Sequence, residues 1–156
     1  MASRRPGVNG RLSVAPGPHP VARTATDPLG SCAMSPRGSV LIVEDDPALR
    51  ELYADVLRDE GWTVQQAGDG VEALEILAAG TPPCVVVLDL RMPRMDGWEL
   101  ASRLRESGLP FVLVAAHYRI QEEAVTVGAR WWLQKPVAID RLLAVVAEAC
   151  RSSRAA

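Results

Sequence analysis

From residue 39 onward the chain alternates short apolar runs, rich in β-branched residues, with segments of helical periodicity, and that alternation leaves few folds open. Val40-Leu41-Ile42-Val43 is an unbroken apolar run that stops at Glu44-Asp45-Asp46-Pro47. An aspartate followed by proline reads as a helix N-cap with Pro at the first helical position. Leu49, Leu52, Tyr53, Val56 and Leu57 then recur at helical spacing up to Glu60, and Gly61 ends the segment. A second strand over 63–67 leads through Gly68-Asp69-Gly70 to a helix carrying Val71, Leu74, Leu77 and Ala78. The third strand, Val85-Val86-Val87-Leu88, is closed by Asp89, and Asp96-Gly97 opens a helix that runs through Arg105. The pattern predicts a fourth strand over 111–114, a helix over 120–127, a fifth strand over 131–133 and a last helix over 139–151.

Those are five βα units. Strands joined by crossover helices run parallel, and parallel strands covered on both faces read as continuous apolar runs, as these do. The expected fold is α/β: a doubly wound five-stranded parallel sheet in the flavodoxin-like order 2-1-3-4-5, with five helices.

Residues 1–38 differ from the rest. They hold five arginines and one acid, and six of the 12 prolines and five of the 12 glycines. Such a segment buries too little apolar surface to offset its chain entropy, so it is expected to be a disordered tail. The folded domain is expected over 39–151, with 152–156 a short C-terminal tail, so that no output domain is anticipated. Ser3-Arg4-Arg5 has the start of a twin-arginine export signal, but no apolar run follows it, so export is not expected. Met34, just ahead of the first strand, offers an alternative start. With +4 in the tail, the remainder carries −6 of the net −2, which argues against DNA binding by the folded part. Cys32, Cys84 and Cys150 are odd in number and far apart, which suggests neither a disulfide frame nor a zinc site; Cys84 reads as core. No run approaches the ~20 apolar residues of a membrane helix. A cytoplasmic protein is the expectation.

In such sheets ligands bind beyond the carboxyl ends of the strands, where strand order reverses between the first and third. The first strand ends in Glu44-Asp45-Asp46 and the third in Asp89, so carboxylates converge there and call for a counter-cation. Several hard oxygen ligands suit Mg²⁺. Asp46 and Asp96 are equally well read as helix caps, and Glu44 could reach a metal through water or simply face solvent. The chain has no GxxxxGK[ST] loop, no G-x-G-x-x-G after the first strand and no G-x-S-x-G elbow. An acid cluster without a nucleotide cradle points to a small phosphorylated group delivered from outside. Lys135, in WWLQKP, is the only lysine among 17 Lys and Arg residues.

VLIVEDDPALR (40–50), VVVLDLRMPRMDG (85–97) and LQKP (133–136) together resemble the receiver domain of bacterial two-component response regulators. The resemblance covers roughly 39–151. It implies that Asp89 is the phosphoacceptor, served by a histidine kinase or phosphotransfer protein, and that Glu44 and Asp45 hold Mg²⁺ with it. It implies that the backbone carbonyl of Arg91 completes the ion's protein ligands and that Lys135 contacts the phosphoryl oxygens. It also places Trp132 at a rotamer-switch position, implies a cis bond before Pro136, and makes the fourth helix, fifth strand and fifth helix the face for a downstream protein. Such a domain is not an enzyme toward external substrates; it catalyses only its own phosphorylation and dephosphorylation.

One position departs from the pattern. Ala115 stands where the family has Thr or Ser, and the stretch from Ala115 to Lys135 is about two residues short, which would trim the fourth helix. Of the adjacent Trp131 and Trp132, one is explained by packing, and an exposed Trp131 would mark a contact site; Trp62 and Trp98 read as packing. His117 either neighbours the phosphoryl group or faces solvent. The alternative to a phosphorylated receiver is a pseudo-receiver that binds partners without being switched. A haloacid dehalogenase-type phosphatase would need an aspartate where Arg91 stands.

Overall fold

The computed structural model describes residues 37–92 and 94–155. The readings made for residues 1–36, including the tail, the alternative start and Cys32, lie outside the described residues. The elements follow the chain as β1 Ser39–Val43, α1 Pro47–Asp59, β2 Thr63–Ala67, α2 Gly70–Ala79, β3 Val85–Asp89, α3 Gly97–Ser107, β4 Phe111–Ala115, α4 Ile120–Val127, β5 Trp131–Gln134 and α5 Ile139–Arg154. All strand pairs are parallel and the order is β2-β1-β3-β4-β5. The α5 helix continues three residues past its expected end, with Arg151 and Arg154 in its last turn opposite the negative end of the helix dipole.

Alternate strand residues feed two cores. Leu41, Val43, Val86, Leu88, Leu113 and Ala115 face α2, α3 and α4, whereas Val40, Ile42, Val85, Val87, Val112 and Val114 face α1 and α5. Each of the Val, Leu and Ile side chains among them contributes roughly 1.5–3 kcal/mol of transfer free energy. The same parity sorts the tryptophans. Trp131 lies on the side of buried Leu133 and packs against the second core, under the Arg130 guanidinium at 5.1 Å. Trp132 lies on the α4 side of this edge strand, where the eight-residue α4 leaves it 37% exposed. Trp62 is buried, as expected; Trp98, expected to pack, is 37% exposed at the start of α3.

The expectation that no disulfide forms is overturned. Cys84, just before β3, is bonded to Cys150 of α5, with Cα atoms 5.0 Å apart across a sequence separation of 66. A helix laid across the sheet brings together residues that spacing along the chain cannot pair.

Register sets up the site. Val43 pairs with Leu88, Asp89 with Val114, and Ala115 with Gln134. The residues at or just past those pairs, Glu44, Asp89 and Lys135, therefore arrive together at the carboxyl end of the sheet.

Candidate functional site

The ends of β1, β3 and β5 deliver Glu44 with Asp45, Asp89 and Lys135, and the caps hold the neighbouring turns. Asp46 accepts hydrogen bonds from the N–H groups of Ala48 and Leu49, and Asp96 accepts one from Glu99, so both act as N-caps as expected. Glu44 is buried at 2% exposure. Its carboxylate accepts from the Asp46 N–H at 3.2 Å and from Lys135 Nζ at 2.9 Å, while its carbonyl accepts from Arg50 Nη1 at 2.8 Å. Asp89 is 5% exposed; its Oδ1 accepts from the Arg91 N–H at 3.0 Å and its Oδ2 from Lys135 Nζ at 3.1 Å. Asp45 is exposed, yet carboxylate oxygens of Glu44, Asp45 and Asp89 lie within 4.8 Å of one another.

Lys135 is thus a single ammonium against three carboxylates. Its main chain is set by β4, because Lys135 N–H donates to the Ala115 carbonyl at 2.8 Å, and the Lys135–Pro136 peptide is cis. Burial works against its charge, but the hydrogen bonds to Glu44 and Asp89 more than offset that and raise its pKa. Glu44 is pushed up to about 7, chiefly by burial and further by the negative charge of Asp89, against the lowering effect of Lys135. Beneath the cluster, the phenol of Tyr53 is buried; burial first, and then the nearby carboxylates, raise its pKa despite Lys135.

These residues fit a hard divalent cation. The donors are all oxygen, they converge, and three carboxylates share the single ammonium of Lys135. Beside them opens a cleft of about 480 Å³ lined by Asp45, Arg91, Met92, Trp98 and Glu123 among others.

The loop between β3 and α3 is anchored at both ends. A Cβ on Gly97 would lie 2.5 Å from Leu90 Cα and 2.6 Å from the Asp89 carbonyl oxygen, so α3 begins in direct contact with the backbone at the end of β3. Gly97 N–H also donates to the Leu90 carbonyl at 3.0 Å. Within the loop, Arg94 holds a left-handed conformation (φ 72) and pairs with Asp69, the N-cap of α2, at 2.9 Å. Sequence reasoning missed Arg94 and the place of Tyr53 beneath the cluster. Positive φ at an arginine leaves no mark in the sequence, and Tyr53 reads only as one more apolar position of α1.

The remaining expected positions fall as follows. Ala115 is buried at the end of β4, with no hydroxyl to offer. His117 Nδ1 accepts from the Arg119 N–H at 3.2 Å, its ring stacks on Tyr118, and it lies 3.9 Å from Glu123. Its contacts are with the turn into α4 and with α4 itself.

A doubly wound parallel sheet with converging carboxylates and one lysine at its switch point defines a small class of signalling domains. The response regulator receiver domain model matches residues 40–147, and the chain belongs to that family. Response regulator MprA of Mycobacterium ulcerans (strain Agy99) is 42% identical over 109 residues, 67% of this chain and 47% of that protein. The chain spans about half the length of the curated relatives it matches. Among solved structures, the Francisella response regulator 1452 receiver domain has a TM-score of 0.68 at 27% identity, covering 74% of this chain and 98% of that one. The Vibrio cholerae chemotaxis protein CheY4 has a TM-score of 0.66 at 29% identity, covering 75% and 99%. The chain therefore carries a receiver domain of two-component signalling, and no helix among its described residues is long and apolar enough to cross a membrane.

Proposed function

We propose that the domain over residues 39–151 accepts a phosphoryl group on Asp89 from a histidine kinase or phosphotransfer protein. The observation that carries this reading is Lys135 Nζ, held between Glu44 at 2.9 Å and Asp89 at 3.1 Å in a buried acid cluster. A carboxylate oxygen of Asp89 forms the new O–P bond as the donor's N–P bond breaks, the electron pair remaining on the imidazole nitrogen. Transfer of this kind needs alignment and charge neutralisation more than covalent help. Lys135 neutralises the phosphoryl oxygens as a compact point charge, a task for which the planar fork of arginine has a different reach. Glu44, Asp45, Asp89 and the Arg91 carbonyl would hold Mg²⁺, which when bound offsets the negative charge gathered at the site. The protein turns over no external substrate; its reactions are its own phosphorylation and dephosphorylation.

The phosphorylated form is read through protein contacts in the cytoplasm, by a downstream protein at the α4–β5–α5 face. Exposed Tyr118, Val125 and Trp132 supply apolar surface there. The acidic domain itself is not expected to touch nucleic acid. The test is incubation with acetyl phosphate and Mg²⁺ followed by intact-mass measurement: one phosphoryl adduct is expected, absent from Asp89→Asn. Failure of wild type to form an adduct under varied conditions would favour the second reading, a pseudo-receiver. Ala115 favours that reading, because a lost hydroxyl donor to a charged acceptor is worth about 1–3 kcal/mol.

A further inference from the structure

At the end of the sheet opposite Asp89, the fold is shaped around two sulfurs. Cys84 precedes β3, Cys150 lies in α5, and Gly38 precedes β1 with φ +112. A Cβ on Gly38 would stand 3.1 Å from Cys84 Sγ, 3.4 Å from Cys150 Sγ and 3.0 Å from Arg154 Nη2, so a side chain there would crowd all three. Each sulfur also faces a main-chain carbonyl: Cys84 Sγ lies 3.1 Å from Ser39 O, and Cys150 Sγ 3.7 Å from Arg37 O. As thiols, both would have an acceptor in place; as a disulfide, both are bonded to each other. Neither oxidation state leaves a sulfur without a partner. Access differs between the two, since Cys84 is half-buried and Cys150 is 2% exposed. Arg154, which donates to Arg37 O at 2.9 Å, adds a positive charge beside the pair, where the attacking species is a thiolate.

We propose that Cys84 and Cys150 form a reversible thiol–disulfide site that reacts with low-molecular-weight disulfides of the glutathione type. The Cys84 thiolate attacks one sulfur of the small disulfide, expelling the other half as a thiolate that is then protonated. The Cys150 thiolate attacks the Cys84 sulfur of the resulting mixed disulfide and expels the second small thiol. Two cysteine thiols are oxidised, one small disulfide is reduced to two thiols, and α5 is tied to the start of β3. The site stands apart from the phosphoryl chemistry, so Asp89→Asn should oxidise like wild type.

The test uses the full chain, reduced with dithiothreitol, freed of it, and exposed to oxidised glutathione. The expected product is an intact mass lower by two hydrogens, with no glutathione retained and a Cys84–Cys150 cross-link in the peptide map. Its melting temperature should rise on the order of 10 °C, since the cross-link closes a loop of 66 residues, and should fall again on reduction. Cys32→Ser should behave like wild type. Cys84→Ser should show a melting temperature indifferent to glutathione redox state. Retained glutathione adducts, pairing through Cys32, or an unchanged wild-type melting temperature would each overturn the proposal.

Discussion

Two neighbouring strand ends carry different amounts of chemistry. β3 ends in Asp89, which is buried, bonded to Arg91 N–H and Lys135 Nζ, and backed by Glu44. β4 ends in Ala115, equally buried, which contributes only a carbonyl that positions Lys135. The first strand end supplies a carboxylate, and the lysine beyond β5 supplies the charge that neutralises it. The side-chain hydroxyl that would join the phosphoryl group to the rest of the sheet is missing from the second. On the proposed function, accepting a phosphoryl group and responding to it would therefore be separable properties.

The largest effect should come from the lysine that serves both strand ends. Lys135→Arg keeps the charge but not the point geometry, and phosphorylation by acetyl phosphate should slow by about 10²-fold or more. A rate within a few-fold of wild type would erase the distinction drawn for β3, because any cation would then suffice. Next in size is Ala115→Thr, which should enlarge the phosphorylation-dependent change in tryptophan fluorescence while altering the transfer rate much less. If the fluorescence response stays as in wild type, the alanine is not what limits the switch.

Smaller effects are expected from the loop that leaves β3. Arg94→Gly relieves left-handed backbone and should be more stable than Arg94→Ala by about 1 kcal/mol in urea unfolding, although both lose the pair with Asp69. Equal stability would show that the loop relaxes when the tether is cut. The smallest effect concerns acid. Asp69 has its pKa lowered, first by the hydrogen bond from the Glu72 N–H and then by Arg94 against some burial, so its contribution is present above the ordinary aspartate value of 3.8 and lost as pH falls through the lower folded value. Asp69→Asn keeps a capping oxygen and removes this titration, so its stability should fall less steeply than wild type below pH 3.8. Parallel acid profiles for the two proteins would assign the effect elsewhere.

Much of this was legible in the chain. The four-residue runs at 40–43 and 85–88 announce buried parallel strands, and carboxylates following them at the switch point announce the site. Both signals are local, one a matter of periodicity and one of position at a strand end. What was not legible depends on contacts across the fold. The Cys84–Cys150 pair needed α5 laid across the foot of β3. Which of Trp131 and Trp132 faces out depended on β5 pairing with β4 in one register rather than its neighbour. Leu52 fits the apolar face of α1 by spacing and is nevertheless 47% exposed, because spacing marks a face without marking its edge.

Gly97 has a consequence of a different kind. The polypeptide departs from Asp89 and returns to press against it where α3 begins. In a saturation library, position 97 should admit glycine alone, and every other residue there should lower phosphorylation as the proposed role of Asp89 predicts for Asp89→Asn. A screen would record two indispensable positions and suggest two chemical roles. On the proposed function only Asp89 would have one; Gly97 supplies an absence of atoms that the backbone at Asp89 and Leu90 requires.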